Sequence, residues 1–271
     1  MKRLLAVLMV LSLAVAMTAC SSSSSESSTS EESTESSATE STAESSETST
    51  DAEESTEASS DVAVMTYDEY VAADLETEVC VETYVQAKQS WWEDAATVYT
   101  QDEDGAYFLY NMACSEEDYD KLTVGTKIRV TGYKSEWSGE VEITDATFEI
   151  IDGNYVAEPV DVTDLLGTDE LIDHQNQLVS FTGMTVEAAN DDGDAFMYNY
   201  DGSGSDGDDL YFNVSKDGVT YTFTVESYLC DNTTDVYAAV KNLKVGDTVD
   251  MEGFLYWYDG VNPHITSVTV E

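Results

Sequence analysis

Residues 122–132 read LTVGTKIRVTG, and residues 243–253 read LKVGDTVDMEG. A constant offset of 121 carries Leu122, Val124, Gly125, Ile128, Val130 and Gly132 onto Leu243, Val245, Gly246, Val249, Met251 and Gly253. Gly139 falls on Gly260 at the same offset, and after one inserted residue ITDATF (143–148) matches ITSVTV (265–270). The chain therefore contains two copies of one unit. In the first copy Ile128 and Val130 alternate with Lys127, Arg129 and Thr131; in the second, Val249 and Met251 alternate with Asp250 and Glu252. Apolar residues at every second position mark a strand with one buried face. A turn at Gly139 or Gly260 then leads into the next strand.

Upstream of the first match, Val79, Val81 and Val85 alternate with Glu78, Cys80, Glu82 and Tyr84, which predicts another strand. ATVYTQ (96–101) and AYFLYN (106–111) flank Asp102-Glu103-Asp104-Gly105, a hairpin turn signal. A short helix is expected near residues 115–122, and in the second copy Val236, Val240 and Leu243 fall at i, i+4 and i+7. Each copy thus runs three strands, a helix, then two strands. That is the layout of an OB-fold, a five-stranded Greek-key barrel. The string VGTKIRVTG, followed by Trp137-Ser138-Gly139 and by EIT at 142–144, resembles the end of OB-fold domains in secreted bacterial nucleases and in small exported bacterial OB-fold proteins. The resemblance covers about 75 residues of the first copy and implies, for the family, nucleic-acid binding.

The expected architecture is mainly β: two tandem OB-fold-like five-stranded Greek-key barrels, each with one short helix, over residues 61–155 and 156–271. The second copy is longer, with 68 residues from Leu178 to Gly246 against 47 from Glu78 to Gly125. The extra length is assigned to the acidic loop DGSGSDGDD (201–209) and to an added hairpin around Lys216-Asp217-Gly218.

Ahead of the barrels, residues 1–20 read MKRLLAVLMVLSLAVAMTAC. Lys2 and Arg3 precede an apolar run from Leu4 to Ala16, the pattern of an export signal. Met17-Thr18-Ala19-Cys20 resembles a bacterial lipobox. The resemblance implies cleavage after residue 19, acylation of Cys20, and a lipid anchor in a bilayer with the protein facing outside the cytoplasm. Residues 21–60 hold eleven acidic residues and no Lys or Arg among Ser, Thr and Ala. Such a segment cannot bury enough apolar surface to fold, so residues 20–60 are expected to be a disordered tether, spanning about 35 Å root-mean-square.

Of 56 acidic and 10 basic residues in the whole chain, eleven acidic ones lie in the tether and two basic ones in the leader. That leaves 45 and 8, a net charge of −37 on residues 61–271. A field of that sign opposes phosphate backbones and anionic lipids. It leaves Lys88, Lys127, Arg129 and Lys134 as the only cations that could line a path for nucleic acid in the first copy. Cys80, Cys114 and Cys230 remain after Cys20; an odd count without CxxC spacing gives neither a disulfide framework nor a zinc motif. Cys114 and Cys230 precede the expected helix starts at Ser115 and Asp231 and are read as buried small hydrophobes.

Neither histidine, His174 or His264, sits in a catalytic or metal motif, and abundant carboxylates make any acid–base pair uninformative, so no catalytic residue and no cofactor is assigned. The loops at 190–194 and 201–209 offer oxygen atoms for weak calcium binding but lack the EF-hand spacing. Aromatic residues are the best lead. OB-folds bind ligands on one sheet face bounded by the loops between strands 1–2 and 4–5. Trp91 and Trp92 fall in the first such loop of copy one, Trp137 in its second, and Trp257 with Tyr258 in the matching loop of copy two. The chain is accordingly read as a non-catalytic module that binds an extracellular carbohydrate or protein. The alternatives are a structural or envelope-stress protein without a small ligand, an OB-fold nucleic-acid binder and, third in rank, a hydrolase.

Overall fold

The structure, a computed structural model, describes residues 62–271. The leader, Cys20 and the tether lie outside the described residues. The described residues form one compact unit.

The first barrel comprises β1 (Glu78–Lys88), β2 (Ala95–Gln101), β3 (Ala106–Ala113), β4 (Thr126–Trp137) and β5 (Glu140–Asn154), in the closed order β1-β2-β3-β5-β4. Its pairs are antiparallel except β3 with β5, which close in parallel at Phe108 with Glu142 and Leu109 with Ile143. Val79, Val81, Val85, Val98, Leu109, Ile128, Val130 and Ile143 fill the interior, fully shielded from solvent. These are the inward positions of the two-residue alternation, and a one-residue slip would turn them all to water. Helix α2 (Glu116–Lys121) bridges β3 and β4, with Ser115 capping the Asp118 amide.

The second barrel repeats the circuit with β7 (Leu178–Glu187), β9 (Leu210–Lys216), β10 (Val219–Val225), β11 (Thr248–Phe254) and β12 (His264–Val270). β7 pairs with β9 to close the ring, and β10 meets β12 in parallel at Thr224 and His264, as β3 meets β5. Two short strands extend the edges: β6 (Val160–Asp161) on β7, and β8 (Phe196–Tyr198) on β9. Helix α3 (Asp235–Lys241) buries Val236, Tyr237 and Val240 against the core. The architecture is mainly β, with two five-strand closed barrels and few short helices.

The repeat glycines have two distinct physical roles. Gly125 and Gly246 stand at φ +88° and +93°, where a side chain strains the turn into the fourth strand. Gly132 and Gly253 mark where the fourth strand crosses closely over the fifth. A Cβ on Gly132 would lie 2.8 Å from the Thr144 carbonyl oxygen, and one on Gly253 would lie 2.3 Å from that of His264. Both positions coincide with a register shift in the ladder, so the bulge that bends the strand requires a residue without a side chain.

Three features differ from the expectations. The hairpin at Lys216-Asp217-Gly218 is not an addition; it joins β9 to β10 and belongs to the barrel. The extra length of the second copy lies instead between β7 and β9 and contains β8. Helix α3 starts at Asp235, not Asp231. Asp231 turns its carboxylate onto the Thr233 amide and hydroxyl, forming a tight turn that postpones the helix until Thr234 caps it. Finally, α1 (Tyr67–Ala72) precedes the first barrel. Thr66 and Glu69 form a reciprocal capping box, a T-x-x-E signature present in the sequence. Lys134, nearly fully buried, donates to the carbonyls of Tyr70, Val71 and Ala73 at 3.0, 2.8 and 2.8 Å and ties the end of α1 to the barrel.

The barrels pack on each other through Tyr99, Phe108 and Phe254, with the Tyr99 and Phe254 rings stacked at 4.5 Å. The Tyr99 hydroxyl lies 2.6 Å from His264 Nδ1. Polar links surround this contact. The Gln101 side-chain Oε1 accepts from the Leu178 amide, Gln175 donates to the Gly139 carbonyl, and the Ser138 carbonyl accepts from the Asp259 amide.

Candidate ligand cleft

An OB barrel presents its second and third strands, with the loops after strands 1 and 4, to a ligand. In this molecule the two such faces look toward each other and enclose one cleft of about 910 Å³. Barrel one supplies Trp92 from the β1–β2 loop, Thr97 from β2, and Phe108 and Tyr110 from β3. Barrel two supplies Tyr200 and Asp209 from the β7–β9 connection, Tyr211 from β9, Thr224 from β10, and Tyr256, Tyr258 and Asn262 from the β11–β12 loop. Glu226 and Tyr228, just after β10, complete the wall.

Seven aromatic side chains are exposed among the described residues, and five of them line this cleft: Trp92, Tyr110, Tyr200, Tyr228 and Tyr258. Trp92 is 69% exposed and Tyr200 74%. Concentrated exposed rings of this kind mark a binding surface, whereas single ones need no explanation. Deeper in the cleft, Tyr256 stacks on His264 at 4.2 Å. Burial holds His264 down at about 3, so the ring is neutral and is occupied by Tyr99.

The cleft's charge is one-signed. Asp209 accepts through Oδ1 from the Ser227 amide at 2.8 Å and hydroxyl at 2.7 Å, and its Oδ2 has no hydrogen-bond partner among the described residues. Glu226 accepts from the Leu229 amide at 2.9 Å. Burial, and next the charge of Asp209, push Glu226 up to about 7. No Lys or Arg lines the cleft. Most of the cations are engaged elsewhere: Lys127 and Arg129 pair with Glu82, Lys121 with Glu117 and Asp118, Lys241 with Asp206, and Lys216 with Asp164. Lys88 lies over the Tyr119 ring and donates to its carbonyl. With Lys134 on α1, all four cations considered for a nucleic-acid path are committed within barrel one.

Of the sequence-selected aromatics, Trp92 and Tyr258 meet in the cleft from opposite barrels. Trp91 is half-buried and donates from Nε1 to the Cys114 carbonyl at 2.9 Å. Trp257 packs on the second core, its ring so close that a Cβ on Gly139 would lie 2.8 Å from its Cδ1. Trp137 is exposed but lies outside the cleft. Tyr200, Tyr228, Asp209 and Glu226 were not selected from the sequence, since none sits in a periodic pattern. The acidic loop does reach the site, through Asp209 at its end. Of its other carboxylates, Asp201 accepts from the Ser203 amide, Asp208 from the Ser205 amide, and Asp206 pairs with Lys241. No group of three or more His, Cys, Asp or Glu side chains able to hold a metal occurs among the described residues. Cys114 and Cys230 are free and buried, and burial raises both thiols to about 11.

Neither a family model nor a curated protein matches the chain. Among solved structures, similarity extends to a murine DNA binding protein bound with double-stranded DNA, at 10% identity and TM-score 0.35, covering 71% of this chain and 96% of that one. The Ifi202 HINa domain in complex with 20-bp double-stranded DNA is similar at 13% identity and TM-score 0.32, over 73% and 96% of the two chains. Entamoeba histolytica asparaginyl-tRNA synthetase in complex with asparaginyl-adenylate is similar at 16% identity and TM-score 0.30; the match covers 40% of this chain and only 26% of the synthetase. At 10–16% identity and TM-scores of 0.30–0.35, these likenesses say nothing of what this chain does.

Proposed function

We propose that this chain is a lipid-anchored, extracytoplasmic, non-catalytic binding module that holds a carbohydrate between its two barrels. The observation that carries the reading is the cleft itself: five exposed aromatic rings and several amide and hydroxyl groups converge on it, without a single Lys or Arg. Sugar rings present flat apolar C–H faces that stack on aromatics, and a rim of hydroxyls that hydrogen-bond to groups such as Asn111, Asn262 and Thr97. OB-type barrels bind oligosaccharides as well as oligonucleotides on this face. Nucleic acid suits the site poorly, because a polyanion would meet Asp209 and Glu226 with no cation to receive its phosphates. The anchor rests on the lipobox-like Met17-Thr18-Ala19-Cys20.

Titration of the whole chain, solubilised in mild detergent, against neutral oligosaccharides and single-stranded DNA tests the ligand class. The reading expects saturable binding of an oligosaccharide and none of DNA at physiological salt; the opposite pattern defeats it. Fatty-acid labelling of the chain and of Cys20→Ser tests the anchor, and equal labelling of the two would remove it.

A further inference from the structure

The cleft carries two carboxylates and nothing to balance them. Asp209 and Glu226 line the same cleft, the charge of Asp209 helps to raise Glu226, and the faces that enclose them contribute rings, amides and hydroxyls. Asp209 is held rigidly by Ser227 through one oxygen, which leaves the other free. Glu226 is fixed by the amide of Leu229. A neutral sugar would bury these groups without satisfying the charge, and burying an unbalanced carboxylate is costly. A cation would relieve the repulsion and lie against electron-rich ring faces, the geometry that attracts ammonium groups.

From this juxtaposition of two fixed carboxylates and an aromatic wall in one cleft, we propose that the ligand is an amino sugar bearing a free, protonated amine, with the ammonium received by Asp209 and Glu226 and the sugar ring stacked on Trp92 or Tyr258. The proposal rests on the carbohydrate reading above and narrows it to one class. The polar groups of the neutral rim, Asn111, Thr97 and Asn262, receive the hydroxyls.

The test is calorimetric titration of the full chain in detergent with three oligomers of equal length: one of glucosamine with free amines, one of N-acetylglucosamine, and one of glucose. A charge-assisted hydrogen bond should make the free-amine oligomer bind about tenfold or more tighter than its acetylated counterpart. In the double variant Asp209→Asn/Glu226→Gln that preference should vanish, the free-amine and acetylated oligomers binding with equal affinity. Both replacements keep an oxygen for Ser227 and Leu229, and the wild-type comparison stands without them. Equal affinity for free-amine and acetylated oligomers overturns this proposal but leaves the carbohydrate reading intact. A preference that survives in the double variant also overturns it, since it would then come from the general −37 field. Binding of none of the three overturns both.

Discussion

Glu140 sits at the tip of the β4–β5 hairpin, with no solvent exposure, where barrel one meets barrel two. Its Oε2 accepts from the Trp257 amide at 2.8 Å and from Gln175 Nε2 at 3.2 Å. Its Oε1 is buried without a partner, as is the Oδ1 of Asn176. Burial raises Glu140 to about 8, against the opposing bonds from Trp257 and Asn176 and with the help of neighbouring Glu142. A charge on this fully buried, half-partnered carboxyl is costly, so the neutral acid is favoured. Since the folded form binds the proton more tightly than the unfolded chain, the stabilisation is complete below about pH 4.5 and is lost as pH rises to about 8. Over that interval the loss is roughly 5 kcal/mol at 1.36 kcal/mol per pH unit. Glu140→Gln has the hydrogen-bonding pattern of the protonated acid at every pH. It should match wild type at pH 5 and exceed it by several kcal/mol at pH 9, in urea unfolding followed by tryptophan fluorescence. The slope of stability against pH between 5 and 8 should become more positive by about 1.4 kcal/mol per unit, one proton's worth. An unchanged slope, or a variant weakened equally at both pH values, would refute the neutral-acid arrangement.

His264 works in the opposite sense. Its folded pKa of about 3 lies below the ordinary 6.5, so its contribution is complete above pH 6.5 and lost as pH falls toward 3. Together with Glu140 and Glu226, both raised, it predicts a stability maximum near pH 4.5, and an optimum at pH 9 would contradict this. Tyr99→Phe should cost about 1–3 kcal/mol by leaving His264 Nδ1 unpaired, measured by urea midpoint, and a neutral result would mean the bond contributes nothing. Gly253→Ala should cost several kcal/mol or prevent folding, because its Cβ would lie 2.3 Å from a backbone oxygen; a wild-type melting temperature would show that the crossing is looser. The buried thiols Cys114 and Cys230, raised to about 11, should react with a disulfide reagent at pH 8 only after denaturant is added, and immediate labelling of both would place them at the surface.

The barrels were legible because their causes are local and repeated. The alternation at Ile128 and Val130, the turn at Asp102–Gly105 and the glycines at 125, 132, 246 and 253 each depend on near neighbours, and the second copy restates them. The cleft was only half legible. Trp92 and Tyr258 could be placed on ligand-side loops by counting strands, but which rings meet depends on how the two barrels pack. One signal was available: AYFLYN puts Tyr107 and Leu109 inward while Phe108 and Tyr110 point outward. A strand apolar on both faces is covered on both, which flags the outer face of β3 as a contact or binding surface. Asp209, Glu226 and Tyr228 come from irregular segments whose positions no periodicity predicts. The late start of α3 was missed for the reason that Asx turns compete with helix caps for the same residue types.

The central claim is that two barrels share one ligand site, with a wall from each. It is tested most directly by measuring oligosaccharide affinity for Trp92→Ala, Tyr258→Ala and Trp137→Ala on the same day as their melting temperatures. Trp92 and Tyr258 are exposed on opposite walls, so each change should leave the melting temperature within about a degree and weaken binding about tenfold, as loss of one stacking ring does. Trp137, exposed but outside the cleft, should bind as wild type does. Full affinity in both Trp92→Ala and Tyr258→Ala, or a loss confined to Trp137→Ala, would contradict the shared cleft.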